Sequence, residues 1–471
     1  MFVSQSMYIQ SNRQLFKKLR DKLLESYEYV SILACDAVGK RYSVSKTGIN
    51  ISEDDMFTQR GYVIKVYDRG CYAEYSSNEI SEDSIEKIVK LVGENLVNLG
   101  ADFEKSQYEI PKDEPISFAK STEYKIAPED MGDEAIVAKL KEIYEAGMAI
   151  DERIINVNVP VSYQKYSKLF LSKNRELEQN VMWSCGYVAA MALKGEEVMD
   201  HFSSFSNLGG MEVLDTMMDS VKKTIDITLE LLKSEPLVPG EYECICDPET
   251  TGMIVHEAFG HGVEMDMFVK DRALAQKYVG EYVASPLITM HDGNAVDQTA
   301  SYFFDDEGTL STDTVIIDKG ILVAGISDLQ SAMALGTVPT GNGRRESYER
   351  KAYTRMTNTY FEAGTDKVED MIASVKDGLL LEDPSSGMED PKNWGIQCMV
   401  NFAREIKDGK LTGRIFSPIV LTGYVPDLLK SISMVSDTKR LSGTGYCGKG
   451  YKEWVKVSDG GPYIKAKIRL G

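Results

Sequence analysis

The sequence lacks the features of membrane-spanning and of disulfide-stabilised proteins. No uninterrupted apolar run is long enough to cross a bilayer, and the N-terminus lacks the basic start and apolar centre of a signal peptide. The seven cysteines are an odd number, are spread along the chain, and show no repeated CxxC spacing. This distribution disfavours a disulfide framework. We therefore expect a cytoplasmic protein whose cysteines are free and mostly buried.

Positive charge is also in short supply. The chain carries 53 lysine and arginine residues against 73 aspartate and glutamate residues, which gives a formal net charge of -20. Tight binding to a phosphate backbone requires a basic surface. We therefore expect neither direct nucleic-acid binding nor membrane binding.

What the sequence does contain is a set of strand and helix patterns that predict an α+β fold. With 471 residues the chain exceeds one ordinary core. Polar, proline-containing stretches at 108–130 and 234–240 are natural boundaries. We predict three domains: an N-terminal α+β domain, a middle α+β domain of strands and helices, and a C-terminal, mostly β domain, at 1–115, 116–235 and 236–471. In the third, strong helical patterns cover about 248–260 and a stretch after Met267.

Histidine is scarcer than cysteine, and its four positions are informative. They are His201, His256, His261 and His291. The first and last are predicted to be structural. The other two are the first and last residues of the hexapeptide HEAFGH at 256–261. Asp247 and the proline after it predict the start of a helix that carries this hexapeptide. In the familiar HExxH zinc motif the histidines are four apart. Here they are five apart, which on a regular helix separates them by about 140°. We therefore predict that the helix breaks at Gly260, where Gly260 and Gly262 would permit a left-handed C-terminal residue or a widened turn.

His256, Glu257 and His261 have the chemistry of a hydrolytic metal site. Neutral imidazole is the commonest protein ligand for zinc. A carboxylate beside it can take a proton from metal-bound water, whose pKa the metal lowers to roughly 7. The alternative is that both histidines pack against or cap a helix end while Glu257 faces solvent. The hexapeptide alone supports the two interpretations about equally.

A catalytic zinc usually has three protein ligands, so one more is expected. Five further residues have suitable side chains: Glu264, Asp266, Asp305, Asp306 and Cys447. Cys447 stands out because its run SGTGYCGKG at 442–450 contains four glycines. Taken alone, however, a cysteine is more often a buried structural residue.

Six runs of the sequence resemble, in the same order, the TldD branch of the TldD/PmbA family. They are HEAFGHGVEMD at 256–266, FFDDEGT at 303–309, PTGNGRRESY at 339–348, RMTNTY at 355–360, SMV at 433–435 and SGTGYCGKG at 442–450. Residues 60–81 and 222–240 resemble the N-terminal and middle regions of that family more weakly. The resemblance therefore extends over most of the chain.

The resemblance implies a zinc metallopeptidase, with one zinc per active site held by His256, His261 and Cys447 and with Glu257 as catalytic base. It implies extended or unfolded polypeptide substrates. It also implies a dimer, formed with a second copy or with a PmbA/TldE-like subunit. Two alternatives remain: a non-catalytic peptide-binding or regulatory subunit, in keeping with the family's older label of modulator of DNA gyrase, and a metal-dependent amidase acting on a small molecule.

Five residues in the resembling runs are candidates for supporting roles. Arg344 and Arg345 are candidates to bind a substrate carboxylate or carbonyl group, or else to tether their loop to neighbouring acids. Asn358 lies on a predicted strand that is a candidate to line the cleft. Asp305 and Asp306 are candidates to orient a metal-bound histidine, although solvated turn acids would explain them equally well.

Overall fold

Two β-sheets, one of eight strands and one of eleven, organise the molecule. The computed structural model describes residues 1–53, 58–68, 70–100, 109–450 and 453–471, without the side chains of 96–100. The α+β fold class is confirmed, including the mostly β character of the C-terminal half. No helix in the described part of the chain is both long enough and apolar enough to span a membrane.

The N-terminal half consists of the eight-stranded sheet and the helices that pack on it. Its elements are α1 (Met7–Leu24), β1 (Tyr29–Ser45), β2 (Gly48–Glu53), β3 (Gln59–Asp68), β4 (Cys71–Ser77), α2 (Ile85–Gly100), β5 (Ile116–Ser121), α3 (Pro128–Met131), α4 (Asp133–Met148), β6 (Ile154–Leu171), β7 (Arg175–Lys194), β8 (Glu197–Asn207) and α5 (Val213–Leu231). The strand order is β4-β3-β1-β6-β7-β5, with β2 beside β1 and β8 beside β7.

Strands from the first two predicted domains form two adjacent blocks of this one sheet, joined where β1 pairs with β6. The long strand β1 pairs antiparallel with β3 on one side and with β6 on the other. Buried apolar residues of α1 and α2 cover one region of the sheet, and those of α4 and α5 cover another. The two regions therefore share one sheet but have separate apolar cores. The three-domain division stays a prediction.

The C-terminal half contains the remaining strands and several short helices. They are β9 (Gly240–Cys246), α6 (Pro248–Met253), α7 (Met265–Val269), β10 (Met290–Gly293), β11 (Asp313–Asp318), β12 (Ile321–Leu322), α8 (Leu329–Leu335), β13 (Gly343–Arg344), β14 (Tyr353–Thr354), β15 (Asn358–Phe361), α9 (Val368–Ala373), β16 (Asp377–Asp390), β17 (Gly395–Lys407), β18 (Lys410–Phe416), β19 (Ile419–Tyr424), α10 (Val425–Lys430), β20 (Met434–Ser442), β21 (Tyr446–Lys449), β22 (Glu453–Lys456) and β23 (Ser458–Leu470).

Five strands of the eleven-stranded sheet close on themselves. Strand β23 pairs with β19, which is followed by β17, β16 and β9, and β9 pairs back with β23. Closure satisfies the backbone groups that an open sheet would leave at its edges. Buried side chains of these strands form one apolar cluster with the chain segment that follows β9. The segment carrying the HEAFGH hexapeptide is therefore anchored in the largest core of this half.

The predicted helix after Met267 is wrong in its extent. Helix α7 has five residues, and Asp271 with φ 51° follows soon after its end. A 3-10 helix, Leu274–Tyr278, comes next after extended backbone at Ala273. The left-handed conformation of Asp271 is incompatible with a continuous helix.

Helix α6 begins as its sequence predicts and packs very closely on β23. The Asp247 side chain accepts a hydrogen bond from Thr250 N at 2.7 Å, and Pro248 occupies the first helical position. At Gly252, an added Cβ would lie 2.6 Å from the backbone N of Gly460. Glycine is therefore required for this helix to approach the strand.

Replacing Gly252 by alanine should push α6 away from β23. We expect Gly252→Ala to lower the free energy of unfolding by about 1–3 kcal/mol, the usual cost of overpacking, measured by chemical denaturation. Gly423→Ala is the matched control, because a Cβ there would have nothing within 4 Å. Equal stability of the two variants would contradict the close approach.

Candidate metal centre

The helix that carries the hexapeptide does not break at Gly260 and has no left-handed residue there, so the break is wrong and the alternative of a widened turn is confirmed. It widens instead into a π-helix, Ile254–Gly260, followed by a 3-10 helix, His261–Val263. Gly260 and His261 both keep right-handed helical backbone angles. A π-helix closes its hydrogen bonds between residues five apart. This widening brings His256 and His261 onto one face despite their spacing.

Gly260 serves close packing rather than a left-handed conformation. A Cβ at this position would lie 2.2 Å from Met356 Sδ, and Met356 is fully buried. The π-helix packs against strands β15, β16, β17 and β23. Tertiary packing on several sides therefore holds the widened turn in place.

His256, His261 and Cys447 meet at the end of this helix. One potential ligand atom from each lies within 4.8 Å of the others, and no other such group of three occurs among the described residues. Cys447 Sγ is 3.3 Å from His261 Nε2. The two imidazole rings have centroids 5.2 Å apart and planes at 87°, so the rings converge without stacking.

Cys447 reaches the histidines because a buried arginine holds its hairpin. Strands β21 and β22 pair with Cys447 opposite Val455. Arg355 donates hydrogen bonds to the carbonyl oxygens of Cys447 and Glu453, at 2.6 and 2.5 Å. Only 1% of Arg355 is exposed. It therefore fixes both strands of the hairpin from inside the protein.

The buried carboxylate of Glu264 orients the His261 ring through a contact with its Nδ1 atom. Glu264 Oε2 lies 3.3 Å from His261 Nδ1 and 3.0 Å from Lys449 Nζ. Burial alone would raise the pKa of Glu264, but Lys449 and the hydrogen bond with His261 outweigh it and lower the pKa to about 2. The Nδ1 contact leaves His261 Nε2 directed at Cys447, the arrangement expected of a metal ligand.

The two histidines and the cysteine shift one another's pKa values. Burial alone would lower the pKa of His256, but the Cys447 thiolate beside it raises the pKa to about 9. Burial would likewise raise the pKa of Cys447, yet His261 and His256 lower it well below its ordinary value. These shifts favour a thiolate beside two protonated imidazoles, and a bound cation would displace the protons of the imidazoles.

Glu257 faces a large cavity at the edge of the histidine pair. Its Oε2 lies 4.0 Å from His261 Nε2, and 19% of its side chain is exposed. Burial raises the pKa of Glu257, although the two histidines oppose this. The cavity measures about 930 Å³, and its walls include the π-helix, residues 385–389 of β16 and residues 445–450 around β21.

The three side chains fit a divalent zinc ion. With bonds of about 2.0–2.3 Å, tetrahedral ligand atoms lie roughly 3.5 Å apart, close to the separation of Cys447 Sγ and His261 Nε2. Imidazole and thiolate are both preferred zinc donors. In addition, His256 Nδ1 is buried and has no hydrogen-bond partner among the described residues.

Asp305 and Asp306 lie elsewhere, which corrects their proposed role of orienting a histidine. Asp305 accepts hydrogen bonds from the backbone of Glu307, Thr309 and Gly343, each at 2.8 or 2.9 Å. Asp306 accepts hydrogen bonds from Lys168 and from the Arg345 backbone. Glu264 makes the histidine contact instead. These two aspartates hold their own loop in place, and Asp306 links that loop to the N-terminal half of the protein.

The three predicted substrate-binding residues also have structural partners. Arg344 donates to the Met356 carbonyl at 2.6 Å, and Arg345 pairs with Glu74 at 2.8 Å. Asn358 is fully buried and donates to the Gly293 carbonyl at 2.7 Å. None of the three lines the 930 Å³ cavity. These contacts do not support the predicted substrate-binding roles, and they agree with the tethering alternative for the arginines.

The two remaining histidines lie outside the cavity. His201 packs against Phe402 with ring centroids 5.9 Å apart, and burial lowers its pKa to about 4. His291 lies between Asp313 and Glu362, at 2.8 and 3.0 Å. Both positions are consistent with structural roles.

Sequence reasoning missed most of the residues that support the candidate ligands. Glu264 was only one of several candidate ligands, and nothing in the sequence linked Arg355 or Lys449 to the histidines. Glu389 was missed entirely: it lies against Gly262 in the cavity wall, and burial raises its pKa well above the ordinary value. A single sequence offers no signal for such contacts, apart from the presence of charged residues inside the resembling runs.

Comparison with known proteins identifies the family. A family model of the PmbA/TldA metallopeptidase C-terminal domain matches residues 239–469. A metalloprotease of Methanocaldococcus jannaschii is 26% identical over 94% of this chain and 97% of its own length. A metalloprotease TldD homolog of Haemophilus influenzae is 38% identical over 45% of this chain and 44% of its own length. The chain belongs to the TldD/PmbA family.

Solved structures share the fold of this family member. A protein of Thermotoga maritima described as a modulator of a DNA gyrase superposes with a TM-score of 0.79, over 97% of this chain and 100% of its own, at 16% identity. TldE from Thermococcus kodakarensis superposes with a TM-score of 0.76, over 97% of this chain and 100% of its own, at 18% identity. At such identities the likeness concerns the fold alone.

The depressed pKa of Glu264 predicts a specific pH dependence of stability. The pKa falls from an ordinary 4.5 to about 2 in the folded protein. The carboxylate therefore stabilises the fold above pH 4.5, and this contribution, about 3 kcal/mol, is lost as the pH falls towards 2. In chelator-treated protein, Glu264→Gln should reduce the loss of unfolding free energy between pH 5 and 2.5. The exposed control Glu281→Gln should leave it unchanged, and identical pH profiles for all three proteins would contradict the assignment.

Proposed function

We propose that this chain is a zinc-dependent metallopeptidase of the TldD type, with zinc held by His256, His261 and Cys447. The observation that carries the proposal is the convergence of the three ligand atoms within 4.8 Å beside Glu257, in the wall of a 930 Å³ cavity. Relatives with the metalloprotease name support the same chemistry. The intact HExxxH motif supports placement on the TldD rather than the TldE side of the family.

Glu257 is the proposed general base. When bound, zinc would polarise the scissile carbonyl and lower the pKa of a coordinated water. Glu257 lies next to the ligand atoms, and its carboxylate takes the proton of the attacking water and delivers it to the leaving amine. Partial burial raises the pKa of Glu257, so it holds this proton more readily than a solvated glutamate would.

Extended polypeptide is the proposed substrate. Two walls of the cavity are strand segments, residues 385–389 of β16 and the β21 hairpin. The pairing of β16 with β17 shifts register between Pro384 and Ser386, where the strand begins to line the cavity. Strand segments beside a cleft bind extended peptides through backbone hydrogen bonds. A cavity of this size accommodates several residues of such a chain.

We further propose that the protein acts in the cytoplasm as a dimer, with a second copy or with a TldE-like subunit. The fold similarity to TldE supports this partnership, because subunits of one fold readily form pseudo-symmetric pairs. Mass measurement of the purified protein, alone and mixed with a TldE-like subunit from the same source, distinguishes the two dimers. A monomer in both samples would exclude them.

Substitution of the base should abolish hydrolysis while leaving metal binding intact. We expect Glu257→Gln to retain one zinc per chain but to lower kcat/KM for quenched fluorescent peptides by at least about 100-fold. Glu281→Gln, an exposed control, should retain full activity. If the zinc-loaded Glu257→Gln variant cleaved peptides normally, Glu257 would not be the base. Wild type that cleaved small amides but no peptide would favour the amidase, and loss of both activities would favour the regulatory subunit.

Removal of a ligand should abolish metal binding. We expect Cys447→Ser and His261→Ala to bind zinc more than about 100-fold more weakly than wild type, since even residues that only orient ligands contribute 10–100-fold. Cys71→Ser controls for the loss of a thiol outside the centre. Titration of metal-free protein with zinc, followed by elemental analysis, measures the affinity. Equal zinc content in all four proteins would contradict the ligand assignment.

A further inference from the structure

The hairpin that presents Cys447 lies between the two halves of the protein. Neighbouring residues of a strand point to opposite faces. Cys447 pairs with Val455, and both side chains pack in the apolar core of the C-terminal half. Tyr446 pairs with Lys456, and both side chains contact strand β7 of the N-terminal half. The position of the third candidate ligand therefore depends on both halves.

A lysine beside two aromatic rings joins the hairpin to β7. Lys456 Nζ lies 4.8 Å from the centre of the Trp183 ring and 4.1 Å from the centre of the Tyr446 ring. It also lies 3.8 Å from Cys185 Sγ. Trp183 is 1% exposed and Lys456 is 6% exposed. Cation–π attraction is stronger where water is excluded, so this buried contact holds one face of the hairpin against the N-terminal half.

The segment before β21 is held by strands β7 and β8. The Gly443 N–H donates a hydrogen bond to Ser206 Oγ at 2.8 Å, and the Ser206 hydroxyl donates in turn to the Gln298 side chain at 3.1 Å. The Tyr187 hydroxyl donates to the Thr444 carbonyl at 3.4 Å. These hydrogen bonds fix the backbone where the chain enters the hairpin.

A loop that lies on the N-terminal sheet supports β22. The Trp454 N–H donates to Glu346 Oε1 at 3.0 Å. Gln59 of β3 donates to the Glu346 carbonyl at 3.3 Å and accepts from the Tyr348 N–H at 3.0 Å. An added Cβ at Gly61 of β3 would lie 2.6 Å from the Tyr348 ring, so the loop packs directly on that strand. Glu346 thus connects β22 to the N-terminal half.

We propose that Ser206 and Glu346 are positioning residues of the metal centre, which act through the hairpin on Cys447. The inference rests on the proposed zinc ligands. The π-helix that carries the histidines packs on strands of the C-terminal half, so those two ligands keep their places when the hairpin loosens. Metal binding and hairpin docking are therefore linked. A bound metal stabilises the docked hairpin, and a looser hairpin weakens metal binding by the same free energy.

Titration with cobalt tests the inference without hydrolysis. Co²⁺ occupies tetrahedral zinc sites, and its thiolate-to-metal charge-transfer absorption reports the bond to Cys447 rather than those to the imidazoles. We expect Ser206→Ala and Glu346→Ala to bind cobalt about tenfold more weakly in this signal, the low end of the range for residues that orient ligands. Glu346→Gln keeps an oxygen acceptor for the Trp454 N–H and should stay within about twofold of wild type.

Ser172→Ala is the matched control, at the turn between β6 and β7. Like Ser206, Ser172 accepts from a backbone N–H, that of Arg175 at 2.9 Å, and donates to a side chain, that of Asp113. We therefore expect Ser172→Ala to lower the free energy of unfolding as Ser206→Ala does, but to leave the cobalt affinity unchanged.

Hydrogen exchange of chelator-treated protein locates the effect within the chain. In Ser206→Ala and Glu346→Ala, the amides of residues 445–449 and 453–457 should exchange about fivefold faster than in wild type, the effect of losing one hydrogen bond. The amides of residues 254–263 should keep their wild-type rates. Ser172→Ala should change neither segment.

Equal cobalt affinity of Ser206→Ala, Glu346→Ala and Ser172→Ala would overturn the proposal, as would equally faster exchange in the π-helix and the hairpin. If wild type hydrolyses no peptide but the first two variants weaken the thiolate signal, the positioning role stands and the catalytic function fails. If wild type hydrolyses peptides and these variants bind cobalt normally, the catalytic function stands and the positioning role fails. A wild type without the thiolate signal would overturn the ligand assignment and this inference together.

Discussion

The candidate metal centre depends above all on the mutual attraction of the Cys447 thiolate, the buried His256 and the partly buried His261. An isolated thiolate or protonated imidazole would be unstable in an apolar core, because its charge would lose its hydration. The cluster is maintained because the thiolate attracts both imidazoles and because a π-helix aligns His256 with His261. Such a widened turn is rare and is often found at functional sites. The local backbone irregularity and the chemistry of the site are thus two aspects of one constraint.

A surrounding set of buried charges keeps this cluster in position. Glu264 contacts His261 on one side and Lys449 on the other, while Arg355 holds the hairpin that presents Cys447. Lys449 also pairs with Asp266 at 2.7 Å, and Arg355 Nε lies 3.9 Å from Glu264 Oε1, so these buried charges form one connected network. The closed strands beneath the helix give this arrangement a rigid support. The positions of the three candidate ligands therefore depend on the charged residues around them.

Much of the site could be predicted from the sequence, but its geometry could not. Local patterns predicted the helix start at Asp247, and the scarcity of histidine drew attention to the hexapeptide. The break at Gly260 was wrong, but the alternative of a widened turn was right, because packing against Met356 stabilises a wider helix. Cys447 was singled out by its glycines and by family resemblance. The roles of buried ion pairs depend on long-range contacts, and a single sequence does not encode these in any local pattern.

The most direct test of the account is the coordination of zinc itself. X-ray absorption spectroscopy of the zinc-loaded protein measures the number and type of atoms bound to the metal. We predict one sulfur at about 2.3 Å and two imidazole nitrogens at about 2.0–2.1 Å, with a light atom completing the shell. A spectrum without sulfur, or with fewer than two imidazoles, would contradict the assignment of His256, His261 and Cys447 as the metal centre.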